Sequence, residues 1–224
     1  DVYGYCTGKY LSIVMEYMPN GSLYDLIHKN KQKLSVLQRM RMGRHCALGL
    51  AHIHSNGVIH RDVKSMNILV SNDLSCKYTD FGTAKLIGGH TQQRAAHLMH
   101  TQNSGTPLWM APEVKRGQSY DYSADIYSLG LVIYELFELK LPHYDQMRQS
   151  VSLPAHFQSS TIVLPCVNLT PQRRPLAREV VYRFDKLVRV AVSSVMKNLS
   201  VSQQKQILGH EVSESTQDDD LTKV

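Results

Sequence analysis

The hydrophobic and polar positions of the chain follow two periods. Four short apolar or β-rich runs end at polar turns and predict strands: 10–17, 58–59, 68–70 and 77–79. Four longer segments repeat apolar residues at helical spacing and predict helices: 35–54, 123–139, 160–166 and 176–195. The pattern therefore predicts a mainly helical protein with small β-hairpins.

Details of the pattern refine three regions. Gly57 is suited to a left-handed cap after the helix 35–54. The segment 123–139 is apolar on most sides, which predicts a helix inside the core. Between residues 140 and 160 the periodicity weakens and prolines occur, so we expect a loop or a short helix there.

The stretch 58–70 holds polar residues between two apolar runs. A carboxylate (Asp62), an ammonium (Lys64) and an amide (Asn67) lie there on the frame of two predicted strands, as in an active-site loop. After a polar turn, the run 77–79 predicts the second strand of a hairpin and leads into Asp80.

These four polar residues suit phosphoryl transfer, which requires an aligned hydroxyl and neutralised phosphate charge. Asp62 is the candidate base, and Lys64 places positive charge beside the transferred group. Asn67 and Asp80 offer the oxygen ligands that Mg²⁺ prefers. Each carboxylate alone would be a turn cap, but their joint spacing favours a site.

The motifs His60-Arg61-Asp62-x-Lys64-x-x-Asn67, Asp80-Phe81-Gly82 and Ala111-Pro112-Glu113 occur in this order. Over residues 2–190 the chain resembles the serine/threonine protein kinases, most closely the tyrosine-kinase-like group. The resemblance implies ATP and Mg²⁺ as cofactors and protein substrates. It also implies a mainly α, α+β kinase-like fold, with a helical large lobe, short β-hairpins at the cleft and a remnant of the small-lobe sheet.

The resemblance also assigns the nucleotide site. It places Met15 at the gatekeeper position and gives the backbone of residues 16–18 to the adenine. Below the adenine it places Leu23 and Leu69. The predicted adenine-contacting positions are thus Met15, Glu16, Tyr17, Met18, Leu23 and Leu69.

Residues 82–113 correspond to an activation segment. Its candidate phosphorylation sites are Thr91, Thr101 and Ser104. Arg61 is a candidate partner for a phosphate there. Thr106 corresponds to the substrate-docking loop, where its hydroxyl bonds Asp62 and Lys64.

Five further residues have structural roles by the same resemblance. His60 and Phe81 correspond to a stacked hydrophobic spine. Glu113 and Arg174 correspond to a buried ion pair, and Asp125 corresponds to the residue that holds the catalytic-loop backbone.

The chain departs from the family at one place. It contains no Gly-rich loop, no Val-Ala-Ile-Lys strand and no helix with the partner Glu. We expect three regions: a small-lobe remnant and hinge (1–18), the large lobe (19–195) and a disordered acidic tail (196–224). We therefore expect these 224 residues alone to have little activity, and a non-catalytic kinase-like scaffold is the alternative function.

Composition adds little to this interpretation. Without the acidic residues 211–224, the chain carries 24 basic and 14 acidic side chains, but no basic run interleaved with aromatics predicts nucleic-acid binding. Four scattered cysteines suit reduced thiols in the cytoplasm, in a soluble protein or in the cytoplasmic part of a larger one. No apolar run is long enough to predict membrane insertion.

The last three residues, Thr222-Lys223-Val224, resemble a ligand of PDZ domains, which add such a peptide to a sheet edge. The alternative is a solvated terminus without a specific partner.

Overall fold

A computed structural model describes residues 2–8, 10–87, 108–119, 121–147 and 150–197. The chain divides into two compact units, Asp1–Phe184 and Asp185–Val224. Of the second unit, only residues 185–197 are described. The description below concerns the first unit except for the end of the last helix.

The core of the first unit is built around a buried helix, α3 (Tyr122–Glu138), whose residues 124–137 are all buried. Asp121 caps its first turn by accepting a hydrogen bond from the Ser123 N–H at 2.8 Å. This confirms the predicted helix 123–139 and its place in the core. At Gly130 an added Cβ would lie 2.7 Å from Cys166, so the glycine permits close packing of helix α4 (Ser160–Cys166).

A second long helix, α1 (Val36–Ser55), packs against α3 and confirms the predicted helix 35–54. Ser35 and Gln38 form a capping box at its start, with bonds of 3.2 and 2.8 Å. Gly57 follows its end with φ +74°, the left-handed conformation predicted for it. The chain then turns directly into the next strand.

The remaining helical elements are short, apart from the last helix. Asp25–Lys29 forms a π-helical turn, and Ser22 caps it because its Oγ accepts from the Asp25 N–H at 3.1 Å. Helix α2 comprises Pro112–Lys115, and helix α5 comprises Ala177–Lys197. Short 3₁₀ turns occur at Ser65–Asn67, Phe81–Thr83 and Pro171–Arg173.

Within the described residues, the strands form four antiparallel pairs. β1 (Val2–Thr7) pairs with β2 (Leu11–Met15), and β3 (Val58–Ile59) pairs with β6 (Lys85–Leu86). The pair β4 (Ile68–Val70) and β5 (Cys76–Tyr78) is the predicted hairpin. The fold is therefore the predicted helical one with short β-hairpins.

The prediction of a loop or short helix between residues 140 and 160 is wrong in part. A hairpin of β7 (His143–Asp145) and β8 (Ser150–Ser152) lies there. Its strands have three residues each and face solvent at several positions, so they carry no apolar alternation that would predict them.

All four cysteines are free, and three of them are buried among the apolar side chains of the core. Burial raises the pKa of the Cys166 thiol to about 12, so this side chain is an uncharged packing residue. In the described part of the chain, no helix combines the length and apolar character that a membrane crossing requires.

Candidate active site

Three of the polar residues predicted to form the site, Asp62, Lys64 and Asn67, are hydrogen-bonded to one another. Lys64 Nζ and Asn67 Nδ2 donate to the same oxygen of Asp62, Oδ2, over 2.7 and 2.8 Å. Asn67 Nδ2 also donates to the Asp62 backbone carbonyl at 2.9 Å. The Asp62 side chain is 27% exposed, so the carboxylate is held firmly and is still accessible.

A buried carboxylate holds the loop that carries Asp62. Asp125 is 1% exposed and accepts the backbone N–H groups of His60 and Arg61 at 2.8 and 2.9 Å. His54 Nε2 lies 2.9 Å from the same side chain. Helix α3 thus holds the backbone immediately before Asp62, because Asp125 belongs to its first turn.

The hairpin β4–β5 places Asp80 near Asn67. Ile68 is opposite Tyr78, and the Thr79 N–H donates to the Asn67 carbonyl at 3.0 Å, which extends the ladder to the mouth of the hairpin. Asp80 follows with φ +62° and an exposed side chain. A non-glycine residue in this left-handed conformation is uncommon and indicates a constrained turn.

His60 lies in the core, next to the end of the hairpin β4–β5 that leads into Asp80. It is fully buried, its Nε2 lies 3.1 Å from the Thr79 carbonyl oxygen, and its ring is 4.9 Å from that of Phe81. Phe81 is 49% exposed, so one part of its ring faces solvent while another packs on His60.

Arg61 connects the catalytic loop to the residues after Asp80. Its Nε donates to the Thr83 carbonyl, and the Thr83 hydroxyl donates to the His60 carbonyl at 3.3 Å. The predicted phosphate partner of Arg61 would come from Thr91, Thr101 or Ser104. These three residues, Thr106 and the terminal residues 222–224 lie outside the described residues.

The turn that follows the predicted hinge runs along the edge of β4. The Asn20 N–H donates to the Val70 carbonyl at 3.2 Å, and the Val70 N–H donates to the Gly21 carbonyl at 2.9 Å. Ser22 bridges to Leu69. Residues 20–22, directly after the predicted hinge, are therefore fixed to the same hairpin that carries Asn67.

The predicted adenine-contacting residues differ in exposure. Met15 and Tyr17 are 45% and 83% exposed, whereas Met18 is buried. Lys77 Nζ binds the Glu16 carboxylate at 2.7 Å, and this hydrogen bond lowers the pKa of Glu16. The carboxylate of Glu16 is therefore paired with a side chain of strand β5.

Leu69 is half-buried beside the hinge, whereas Leu23 is fully buried. Leu23 therefore offers no surface to a ligand in this structure. Its place is in the core that supports the hinge and the neighbouring β4.

Glu113 and Arg174 form a bidentate ion pair, with N–O distances of 2.6 and 2.8 Å. Arg174 also donates to the carbonyls of Asn168 and Ser123, at 2.8 and 3.0 Å. Both charged side chains are buried, so the pair holds the start of helix α2 against two other segments.

Sequence reasoning missed a third buried carboxylate, Glu135, which is fully buried in helix α3. Ser65 Oγ, His28 Nε2 and Trp109 Nε1 lie 2.7, 2.8 and 3.0 Å from its oxygens. A signal was present: an acid within the apolar part of a helix predicted to lie in the core needs buried partners. The sequence alone could not identify those partners.

The oxygen atoms of Asn67 and Asp80, at one end of the hairpin β4–β5, are suitable ligands for Mg²⁺. The Asn67 amide nitrogen makes both of its bonds to Asp62, which leaves the carbonyl oxygen for another ligand. Asp80 makes only a long bond, 3.4 Å, to the Gly82 N–H. Oxygen ligands that leave several positions to water and phosphate suit Mg²⁺. Among the described residues, no three His, Cys, Asp or Glu side chains cluster as a metal site of another kind.

Comparison with known proteins gives a family match. The family model described as "Protein kinase domain" matches residues 2–207. A probable serine/threonine-protein kinase of Dictyostelium discoideum is 31% identical over 183 residues, which are 76% of this chain and 19% of that protein. The serine/threonine-protein kinase STY46 of Arabidopsis thaliana is 38% identical over 141 residues, which are 62% of this chain and 23% of that protein.

A third relative, the serine/threonine-protein kinase shk2 of Schizosaccharomyces pombe, is 40% identical over 135 residues, which are 60% of this chain and 22% of that protein. The chain thus spans roughly a fifth of the length of each of these three relatives.

Proposed function

Because the chain belongs to the protein kinase family, we propose that the protein transfers the γ-phosphoryl group of ATP to Ser or Thr hydroxyls of proteins. The observation that carries this proposal is the Asp62 carboxylate, held by Lys64 and Asn67 beside Asp80. The serine/threonine-protein kinase names of the relatives support the choice of acceptor.

The two oxygens of Asp62 have different surroundings. Lys64 and Asn67 both bind Oδ2, and no described residue donates a hydrogen bond to Oδ1. Oδ1 is therefore the oxygen that accepts the hydrogen of the incoming hydroxyl and orients it for attack. The two donors keep the carboxylate from rotating, so the hydroxyl meets a fixed acceptor.

The other polar residues of the site would neutralise the negative charge of the phosphates. Lys64 places an ammonium next to Asp62, beside the negatively charged phosphoryl group that is transferred. Asn67 and Asp80 would hold Mg²⁺, which neutralises the phosphate oxygens when bound. These two residues are at the same end of the hairpin β4–β5, so the hairpin sets their separation.

The nucleotide would lie along the hinge. We propose that the backbone of residues 16–18 bonds the adenine and that Leu69 supports its face, with Leu23 supporting Leu69 from the core. Met15 would limit the depth of the pocket, and residues 1–18 would belong to the small lobe and hinge. Residues 19–195 would form the large lobe.

Two finer assignments rest on sequence. Lys64 and Leu108 favour Ser/Thr acceptors. We also propose that the chain is most like the tyrosine-kinase-like group. The name of one relative, a LIM domain-containing serine/threonine-protein kinase of Dictyostelium discoideum, is consistent with that group. We also propose a cytoplasmic location, which free thiols suit.

The test is Asp62→Asn in the natural protein that contains residues 1–224. Asparagine keeps the shape and removes the base, so we expect kcat for a Ser/Thr peptide to fall about 10²–10⁴-fold. Asp73→Asn is the matched control, because Asp73 lies in the turn at the other end of the same hairpin and is 61% exposed. Activity of Asp62→Asn within about threefold of wild type would contradict the proposal and favour the scaffold alternative.

A further inference from the structure

Lys115 holds its amine against an aromatic ring. The residue lies in the last turn of helix α2, and its Nζ is 4.5 Å from the centroid of the Tyr144 ring in β7. Both side chains are half-buried. The ring therefore covers one side of the amine in a cation–π contact, while part of Lys115 stays accessible to small molecules.

No carboxylate compensates for this burial. Among the described residues, no acidic side chain binds the Lys115 ammonium, and Glu113 of the same helix is bound by both terminal nitrogens of Arg174. Burial is the sole cause that lowers the pKa of Lys115 to about 8. No contribution to this shift comes from the other described titratable side chains of α2, its C-cap and the hairpin β7–β8, which are Glu113, Arg116, His143, Tyr144 and Asp145.

An amine in these surroundings is a nucleophile near neutral pH. Only the uncharged form of a lysine has an electron pair to donate, and loss of water favours that form. The Tyr144 ring attracts the charged form, but the loss of water has the larger effect, since the pKa is lowered. A pKa of about 8 leaves roughly a tenth of the amine uncharged at pH 7, against about 0.04% for an ordinary lysine.

We propose that Lys115 is a modification site whose amine takes up small acyl groups from acyl thioesters. The uncharged Nζ attacks the thioester carbonyl carbon, a C–N bond forms, and the C–S bond breaks. The thiolate leaves with the electron pair of that bond, and water takes the proton that the amine loses. The product is a neutral amide, so the fold no longer holds a charge at this half-buried position.

The expected rate follows from opposing effects. The uncharged fraction of Lys115 at pH 7 is about 200-fold that of an ordinary lysine. A less basic nucleophile is weaker, and a slope near 0.5, as for thiols, removes roughly 15-fold of this gain. Half-burial slows the approach of the thioester further. We therefore expect Lys115 to be acylated at least about fivefold faster than an exposed lysine.

The experiment treats the natural protein that contains residues 1–224 with S-acetyl-N-acetylcysteamine, a small acyl thioester, at pH 7 and without ATP. Mass spectrometry of its peptides gives the acetylation rate of Lys115 relative to that of Lys33, which is exposed. In urea that unfolds the protein, the ratio of the two rates should be near one. A ratio at or below one in the folded protein would overturn the proposal.

Three variants test whether Tyr144 creates the reactive surroundings. Tyr144→Ala uncovers the amine, so the ratio should fall to near one. Tyr144→Leu keeps an apolar cover without the ring electrons that favour the charged form, so fast acylation should persist. Tyr182→Ala is the matched control, because Tyr182 is 70% exposed, and its ratio should equal that of wild type. Melting curves confirm that each variant is folded, and an unchanged ratio in folded Tyr144→Ala would also refute the proposal.

Discussion

The Glu113–Arg174 pair allows a quantitative test of how the start of helix α2 is anchored. Arg174→Met keeps a long side chain in place and removes the charge, so little cavity forms. It leaves the Glu113 carboxylate, 6% exposed, without its two donors. The carbonyls of Asn168 and Ser123 lose a donor as well.

The expected magnitude follows from these losses. Removing one partner of a buried ion pair costs about 3–5 kcal/mol of unfolding free energy. For a domain of this size, each kcal/mol lowers the melting temperature by about 2–4 °C, so we expect a decrease of roughly 6–20 °C. Arg173→Met is the matched control, because the neighbouring Arg173 is exposed. Its effect should stay within about 0.5 kcal/mol.

Urea unfolding followed by circular dichroism measures both variants, with the slope of the transition as a check on two-state behaviour. Adding Glu113→Leu to Arg174→Met removes the unpaired carboxylate, so the double variant should be more stable than Arg174→Met alone. A loss below about 1 kcal/mol for Arg174→Met, or simply additive effects in the double variant, would refute the reasoning.

Two further predictions concern packing and pH. Gly43→Ala should destabilise the protein by about 1–3 kcal/mol, because the added Cβ would lie 2.6 Å from the buried ring of Phe184. Gly4→Ala is the control, because no atom lies within 4 Å of its added Cβ. Equal stabilities of the two variants in urea would contradict the predicted clash. Burial lowers the pKa of Lys115 to about 8 in the folded protein, whereas this pKa is higher in the unfolded chain. Between these two pKa values the unfolded state binds more protons than the folded state, so the free energy of unfolding rises with pH. Wild type should therefore gain stability relative to Lys115→Met between pH 7 and pH 10 in urea titrations, and a constant difference would show that Lys115 titrates normally.

Local features of the structure could be predicted from the sequence. The helix 35–54 has apolar spacing and a glycine after its end, and the structure contains both. Asp62, Lys64 and Asn67 lie within six residues of one another, so their proximity follows from a single loop. In such cases the interactions that decide the structure are encoded within a few positions.

Long-range partners could not be predicted from spacing. Ser65 and Glu135 are 70 residues apart, and His54 and Asp125 are 71 apart. Each pair depends on how helix α3 packs against the rest of the core, which no local pattern specifies. The hairpin β7–β8 was missed for a different reason, because short exposed strands form by backbone pairing with little apolar patterning.

Asp125 holds the catalytic loop by accepting hydrogen bonds from two backbone N–H groups. This contact does not depend on which side chains the loop carries at those two positions. Every amino acid except proline supplies the N–H that Asp125 binds at positions 60 and 61. Substitutions at Arg61 can therefore change which phosphate or segment the loop contacts while Asp62 stays in place. The proposed phosphate contact of residue 61 can therefore be altered separately from the proposed base at residue 62, although the two residues are adjacent.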